Sequence, residues 1–140
     1  AMGMGIPAGI AAALRFPDRQ VFSIVGDGGA LMTGSELATA VAQRAKIRVI
    51  VANNNHYGTI RYHQEVHFPT RHHYATNLVN PDFAKYGESF GLKCFTIHNT
   101  EEILPTIKSA MEVDGPSLIE FKMSLELNTS TTTISQLQTN

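Results

Sequence analysis

The sequence predicts an α/β fold, a mostly parallel central sheet flanked by helices in a three-layer α/β/α arrangement. Two short runs rich in β-branched residues, VFSIV at 21–25 and VIVA at 49–52, stop at small polar residues, as strands buried on both faces do. A stretch with helical spacing joins them, so strand, helix and strand form one crossover unit with its strands parallel. The same alternation of strand and helix then continues to residue 123.

Pro7 suits the first turn of a helix through the alanine-rich stretch 8–14, and Phe16-Pro17-Asp18-Arg19 ends it. After the first strand, Thr33-Gly34-Ser35-Glu36 has the spacing of a capping box. Leu37, Ala38, Val41, Ala42 and Ala45 then repeat at helical intervals over about three turns. Asn80 and Pro81 read as the cap and first turn of a helix ending near Gly91, which leads into a third strand, KCFTIH at 93–98. Asn99-Thr100-Glu101-Glu102 caps a further helix whose Ile103, Leu104, Ile107, Ala110 and Met111 share one face. Asp114-Gly115-Pro116 turns the chain into the last strand, SLIEFKM at 117–123. The Ser- and Thr-rich remainder has little core-forming capacity, so the chain divides into a domain over 1–123 and an extended surface arm over 124–140.

A chain of 140 residues is expected to form one domain that buries roughly two-thirds of its unfolded surface. Lys and Arg total 11 against 12 Asp and Glu, so no long-range field would gather nucleic acid or an anionic membrane. No apolar run approaches the ~20 residues of a membrane span, and a soluble, cytoplasmic protein is expected. The single cysteine, Cys94, lies in an alternating strand and reads as a buried thiol of a reducing compartment. The opening AMGMGIPAGIAAAL passes straight into a helix with no polar lead-in, which suggests a piece of a longer protein.

In an open parallel sheet, ligands collect beyond the carboxyl ends of the strands. Asp27 follows the first strand and Asn54 the second, 27 positions apart, one crossover length that lets the two sit on neighbouring loops. A carboxylate and an amide oxygen are hard donors suited to Mg²⁺, which fills its remaining positions with phosphate oxygens and water. Gly26, Gly28 and Gly29 let backbone approach a diphosphate, a helix opening near Thr33 adds positive dipole, and Tyr57, Gly58, Thr59 and Ile60 could supply further N–H groups. Taken singly, Asp27 reads equally as a turn aspartate, and the run Asn53-Asn54-Asn55 as a cap or turn. A dinucleotide site fits less well, because the loop is GDGG rather than GxGxxG and no acidic residue closes the second strand. His63, His67, His72 and His73 invite a zinc site, but HQEVH does not have the HExxH spacing, and solvated or interface histidines fit better. With Arg61 and Arg71 they make a mildly basic loop facing substrate, a neighbouring subunit or solvent.

GDGGALMTGSELATAVAQ followed by VIVANNNHYGTI resembles the GDG…NN signature of the diphosphate-binding domain of thiamine-diphosphate-dependent enzymes, in the acetolactate synthase and benzoylformate decarboxylase branch. MGMGIPAGIAAAL, YGTIRYHQE, NPDFAKYGESFG and GPSLIEFKM are similar to that domain's flanking segments, and TSTTTIS is weakly similar to a tail of some members. The likeness covers nearly the whole chain. It implies thiamine diphosphate and Mg²⁺ as cofactors, with the metal held by the Asp27 carboxylate, the Asn54 side-chain oxygen and the His56 backbone carbonyl, the His56 side chain being less constrained. Gly28, Gly29, Tyr57 and Gly58 would contact the diphosphate, with Gly26 and Thr59 beside them, and Met2 matches the bulky apolar residue that keeps the cofactor bent.

The activity implied is decarboxylation of a 2-oxo acid with the cofactor as electron sink, then release of an aldehyde or addition to a second 2-oxo acid. The glutamate that activates the cofactor is expected on a pyrimidine-binding domain of the same or a neighbouring subunit, within a homodimer or homotetramer. No residue of this chain is assigned a catalytic role, and alone it is expected to be inert. Where acetolactate synthases read GMVRQWQ this chain reads GTIRYHQ, so Thr59 and His63 replace a methionine and a tryptophan, and Asn55 and His56 replace an acidic pair. Acetolactate-synthase-like carboligation is the first expectation. A decarboxylase of the benzoylformate decarboxylase type stays open, as does a non-catalytic binding or assembly module of the same fold.

Overall fold

The structure is a computed structural model, and it describes residues 2–68, 74–126 and 133–138. β-Branched runs supply four strands, β1 (Val21–Gly26), β2 (Ile47–Asn53), β3 (Lys93–Ile97) and β4 (Ser117–Lys122), all parallel and ordered β1-β2-β4-β3. The registers Gly26↔Ala52 and Asn53↔Lys122 bring the carboxyl ends of β1, β2 and β4 to one edge. The α/β reading from sequence therefore holds, and the strands it expected form.

Side chains alternate across the sheet, which gives each face its own core. On one face, Ile6 and Ile10 of α1 (Gly5–Arg15) pack with Val49, Val51 and Leu118. On the other, Ile119 and Ile97 pack beneath Ala110, Ile103 and Ile107 of α6 (Ile103–Met111). Gly9 is what lets α1 lie so close to the sheet: a Cβ there would stand 2.6 Å from Ile47 Cδ1 and 2.9 Å from Ser23 Cβ. Arg48, 1% exposed, donates to the carbonyls of Met111, Val113 and Gly115, and so satisfies backbone groups that α6 and its exit leave open. Burial pushes its guanidinium below the usual arginine range. Cys94 is half-buried and reduced, and desolvation raises its thiol to about 11. Among the described residues no helix is long and apolar enough to cross a membrane.

Four local expectations change. The GDGG segment is not a loop followed by a helix near Thr33, because α2 (Asp27–Thr33) begins at Asp27 itself. The capping box at Thr33 does not form: Thr33 Oγ1 donates to the Gly3 carbonyl, and Glu36 accepts from Thr39, while the chain runs through a 3-10 turn into α3 (Leu37–Ala42). Asn80 does not cap the following helix, since α5 (Phe83–Ser89) is capped by Asp82, which accepts from Lys85 N–H at 3.0 Å. The tail is not wholly extended, because α7 (Ile134–Gln138) packs on α4 (Gly58–His67) with Ile134 2% exposed. By contrast Asn99 caps the turn before α6 as its sequence pattern requires.

Candidate functional site

A cleft of about 360 Å³ opens beyond the carboxyl ends of β1 and β2, within the range of small-molecule and cofactor sites. Its walls include Met2, Gly26, Asp27, Gly28, Gly29, His56, Tyr57, Gly58 and Thr59. Nine of the ten residues singled out from sequence thus meet in one place; Asn54 is not among the lining residues. Ile60, expected with residues 57–59 to offer N–H groups, also lines the wall, and Gly3, Gly5, Ile24 and Val25, which sequence reasoning missed, complete it. The signal of Ile24 was weak, because it lies in a run expected to be buried on both faces yet is 72% exposed.

Asp27 is 3% exposed and sits where β1 passes directly into α2. Its Oδ1 accepts from Gly28 N–H at 2.8 Å and its Oδ2 from Asn80 Nδ2 at 2.8 Å. A carboxylate offers about four lone-pair sites, so two remain after these bonds. Gly28 is required by close approach: a Cβ there would lie 2.4 Å from Tyr57 Cε1 and 3.3 Å from Met2 Cε. At Gly26 a Cβ would meet nothing within 4 Å, which marks open space at the cleft wall.

The three asparagines at the end of β2 divide the work. Asn53, 2% exposed, donates through Nδ2 to Glu120 Oε1 at 2.6 Å and accepts through Oδ1 from Asn55 N–H at 3.1 Å. Asn54 Oδ1 accepts from His56 N–H at 3.1 Å, which closes a tight turn. Asn55 has φ 58°, the left-handed region that asparagine tolerates better than most residues. The chain then enters α4, whose first residues, Gly58 to Ile60, line the cleft, so the first turns of α2 and α4 both open toward it. α4 was not foreseen, since GTIRYHQEVH carries no strong apolar period.

The His56 ring is held at both nitrogens. Nδ1 donates to the Asn54 carbonyl at 3.2 Å, and Nε2 accepts from Arg61 at 3.1 Å, which places the ring proton on Nδ1. Arg61 in turn lies 3.6 Å from the buried Glu65. His63 is exposed on α4 and stacks on His67, with ring centroids 5.9 Å apart. Among the described residues no three His, Cys, Asp or Glu side chains cluster as a metal site. His72 and His73, and Arg71 of the basic loop, lie outside the described residues.

These residues fit the diphosphate and the divalent cation expected from sequence. The donor set is hard oxygen: one carboxylate with lone pairs to spare, flanked by side-chain amides and the His56 carbonyl, which accepts from Gly58 N–H at 2.9 Å. The buried Asn80 Oδ1 has no hydrogen-bond partner among the described residues, as a polar group beside a missing ligand would. The open space at Gly26 gives a phosphate room against backbone.

Residues 1–121 match a protein family described as thiamine pyrophosphate enzyme, C-terminal TPP binding domain. The chain is 37% identical over 125 residues to a thiamine pyrophosphate-containing protein of Bacillus subtilis, covering 89% of this chain and 21% of that one. It is also 37% identical to the acetolactate synthase large subunit of Lactococcus lactis, over 88% of this chain and 21% of that protein. A solved structure, the thiamine diphosphate-dependent 4-hydroxybenzoylformate decarboxylase of Rhodococcus jostii, superposes with a TM-score of 0.81 at 30% identity, covering 88% of this chain and 23% of that one. The chain thus spans about a fifth of the length of these relatives.

Proposed function

Since the chain belongs to the family of C-terminal thiamine-pyrophosphate-binding domains of thiamine pyrophosphate enzymes, we propose that it is the cofactor- and magnesium-holding part of an enzyme acting on 2-oxo acids. The observation that carries this reading is the buried Asp27 carboxylate on the wall of a glycine-lined cleft onto which the first turns of α2 and α4 open. Asp27, the Asn54 side-chain oxygen and the His56 carbonyl would hold Mg²⁺, and Gly28, Gly29, Tyr57 and Gly58 would contact the diphosphate. Met2 and Thr59 would bound the rest of the cofactor, with Ile24 and Ile60 as apolar wall beside it. When bound, thiamine diphosphate supplies the electron sink that lets a 2-oxo acid lose carbon dioxide. Residues 1–123 would form this cofactor domain and 124–140 an arm. The activating glutamate would come from a pyrimidine-binding domain of the same or a neighbouring subunit of a homo-oligomer.

Acetolactate-synthase-like carboligation is the first reading, supported by the Lactococcus relative. One observation favours simple decarboxylation instead: His63, at the position of the tryptophan in acetolactate synthases, is exposed on α4 rather than on the cleft wall. Both readings are tested with the full-length protein. A panel of 2-oxo acids, assayed for carbon dioxide and product, should yield acetohydroxyacids under the first and aldehydes under the second. Calorimetry should detect thiamine diphosphate binding that requires Mg²⁺ and is lost in Asp27→Ala. Binding unchanged by chelator and by that substitution would overturn the metal assignment.

A further inference from the structure

A line of polar side chains crosses the carboxyl edge of the sheet from β4 to β1. Lys122 Nζ and Asn53 Nδ2 both donate to the buried Glu120 Oε1, each at 2.6 Å. This commits the Asn53 nitrogen and so determines which way its amide faces. Its oxygen, at the other end, accepts from Asn80 Nδ2 at 2.8 Å. The same nitrogen donates to Asp27 Oδ2 at 2.8 Å and reaches Asn55 Oδ1 at 3.2 Å. One amide therefore stands among three oxygens from the ends of two strands, with two protons to share between them. Without that donor, three acceptors would face one another across a few ångströms.

Asn80 reaches this place because residues 76–78 run against 55–57. Tyr57 N–H donates to the Thr76 carbonyl and Leu78 N–H to the Asn55 carbonyl, both at 2.8 Å, and His56 bridges Asn77. Two residues on, Asp82 caps α5. The Asn80 side chain is held through its nitrogen, while its oxygen is buried with no hydrogen-bond partner among the described residues. Its nitrogen is thus given to oxygens at the strand ends and not to the helix cap, which Asp82 supplies.

We propose that Asn80 is the positioning residue for the cation-binding carboxylate. Its amide ties Asp27 Oδ2 to the end of β2 before any ligand arrives and leaves the carboxylate's remaining lone pairs for the cation. The inference rests on the assignment of Asp27 as a metal ligand.

The test uses the full-length protein and reads the MgCl₂ concentration that half-saturates retention of thiamine diphosphate, measured by calorimetry, alongside the melting temperature in chelator. Asn80→Ala should raise that concentration about 10- to 100-fold, the usual cost of losing a partner that orients a metal ligand. Asn80→Ser, which keeps one donor, should fall between Ala and wild type, and it carries the comparison if the Ala variant does not fold. Asp82→Ala removes the cap on the same segment and should lower the melting temperature while leaving the Mg²⁺ requirement as it was. If Asp27→Ala abolishes Mg²⁺-dependent retention while both Asn80 variants match wild type, the positioning role is wrong and the metal assignment stands. An Asp82→Ala shift as large as that of Asn80→Ala also overturns the positioning role, since the effect then belongs to the segment. Retention indifferent to Asp27→Ala overturns the metal assignment and this inference together.

Discussion

Gly28 and Gly26 lie two residues apart, and the structure predicts opposite consequences for adding one methyl at each. At Gly28 the new Cβ would stand 2.4 Å from Tyr57 Cε1, so the ring must retreat by about 1 Å or more to regain carbon contact distance. Tyr57 cannot move freely, because its N–H is bonded to the carbonyl of the fully buried Thr76. Overpacking of this kind costs about 1–3 kcal/mol, and the better helix propensity of Ala within α2 returns about 1 kcal/mol. The net loss for Gly28→Ala is about 0–2 kcal/mol. Because the displaced ring belongs to the proposed diphosphate wall, cofactor affinity should fall further, by about 10- to 100-fold. Gly26 has φ −71° and ψ 160°, open to any residue, and its Cβ would meet nothing. Gly26→Ala should leave the cofactor-free protein unchanged, or more stable by about 0.4–1 kcal/mol through the unfolded chain. Yet it should weaken cofactor binding about tenfold by filling space the ligand needs. Urea unfolding without cofactor and calorimetric titration of thiamine diphosphate in MgCl₂ read the two effects separately. Wild-type affinity in Gly26→Ala would refute the idea that the ligand occupies that part of the cleft, and wild-type affinity in Gly28→Ala would refute the role given to Tyr57.

Arg48→Met keeps the stem but removes the donors to the Met111, Val113 and Gly115 carbonyls, two of which water can reach in part, so a loss of about 2–4 kcal/mol is expected in urea unfolding. A loss under about 1 kcal/mol would show that solvent replaces the guanidinium at all three. For acid behaviour, Asp82, Glu102 and Glu126 are held below the ordinary carboxylate range, first by Lys85 N–H, by His98 N–H and by the Ser135 hydroxyl respectively. A depressed folded value means stability that is present above the unfolded value of about 4 and is lost as pH falls through the folded one. Asp82 and Glu126 are exposed and Glu102 is only partly covered, so the effect is small. Replacing them together by Asn, Gln and Gln should flatten the decline below about pH 4, and an unchanged acid slope in chemical unfolding would contradict the assignment.

The elements legible in the sequence are those whose cause is local. β-Branched runs that stop in glycine or asparagine became β1 and β2, and Asn99 caps its turn, because burial on both faces and side-chain capping are settled within a few residues. The crossover length likewise places Asp27 and the asparagine run at one sheet edge, since parallel strands must finish together. Thr33 and Asn80 have the same local credentials as caps and do otherwise. Thr33 meets the Gly3 carbonyl and Asn80 meets Asp27, both partners far away in the chain, and a bond to a part-buried distant group outweighs a cap that water can replace. The His56 ring is held because α4 turns Arg61 back onto it, and α4 itself carries little apolar period to announce it. The sequence alone thus determined the strands, their common edge and the kinds of donor gathered there. Which oxygen faces which nitrogen was decided by tertiary structure, because that depends on segments 55–57 and 76–78 meeting, and no local preference of either segment encodes the other.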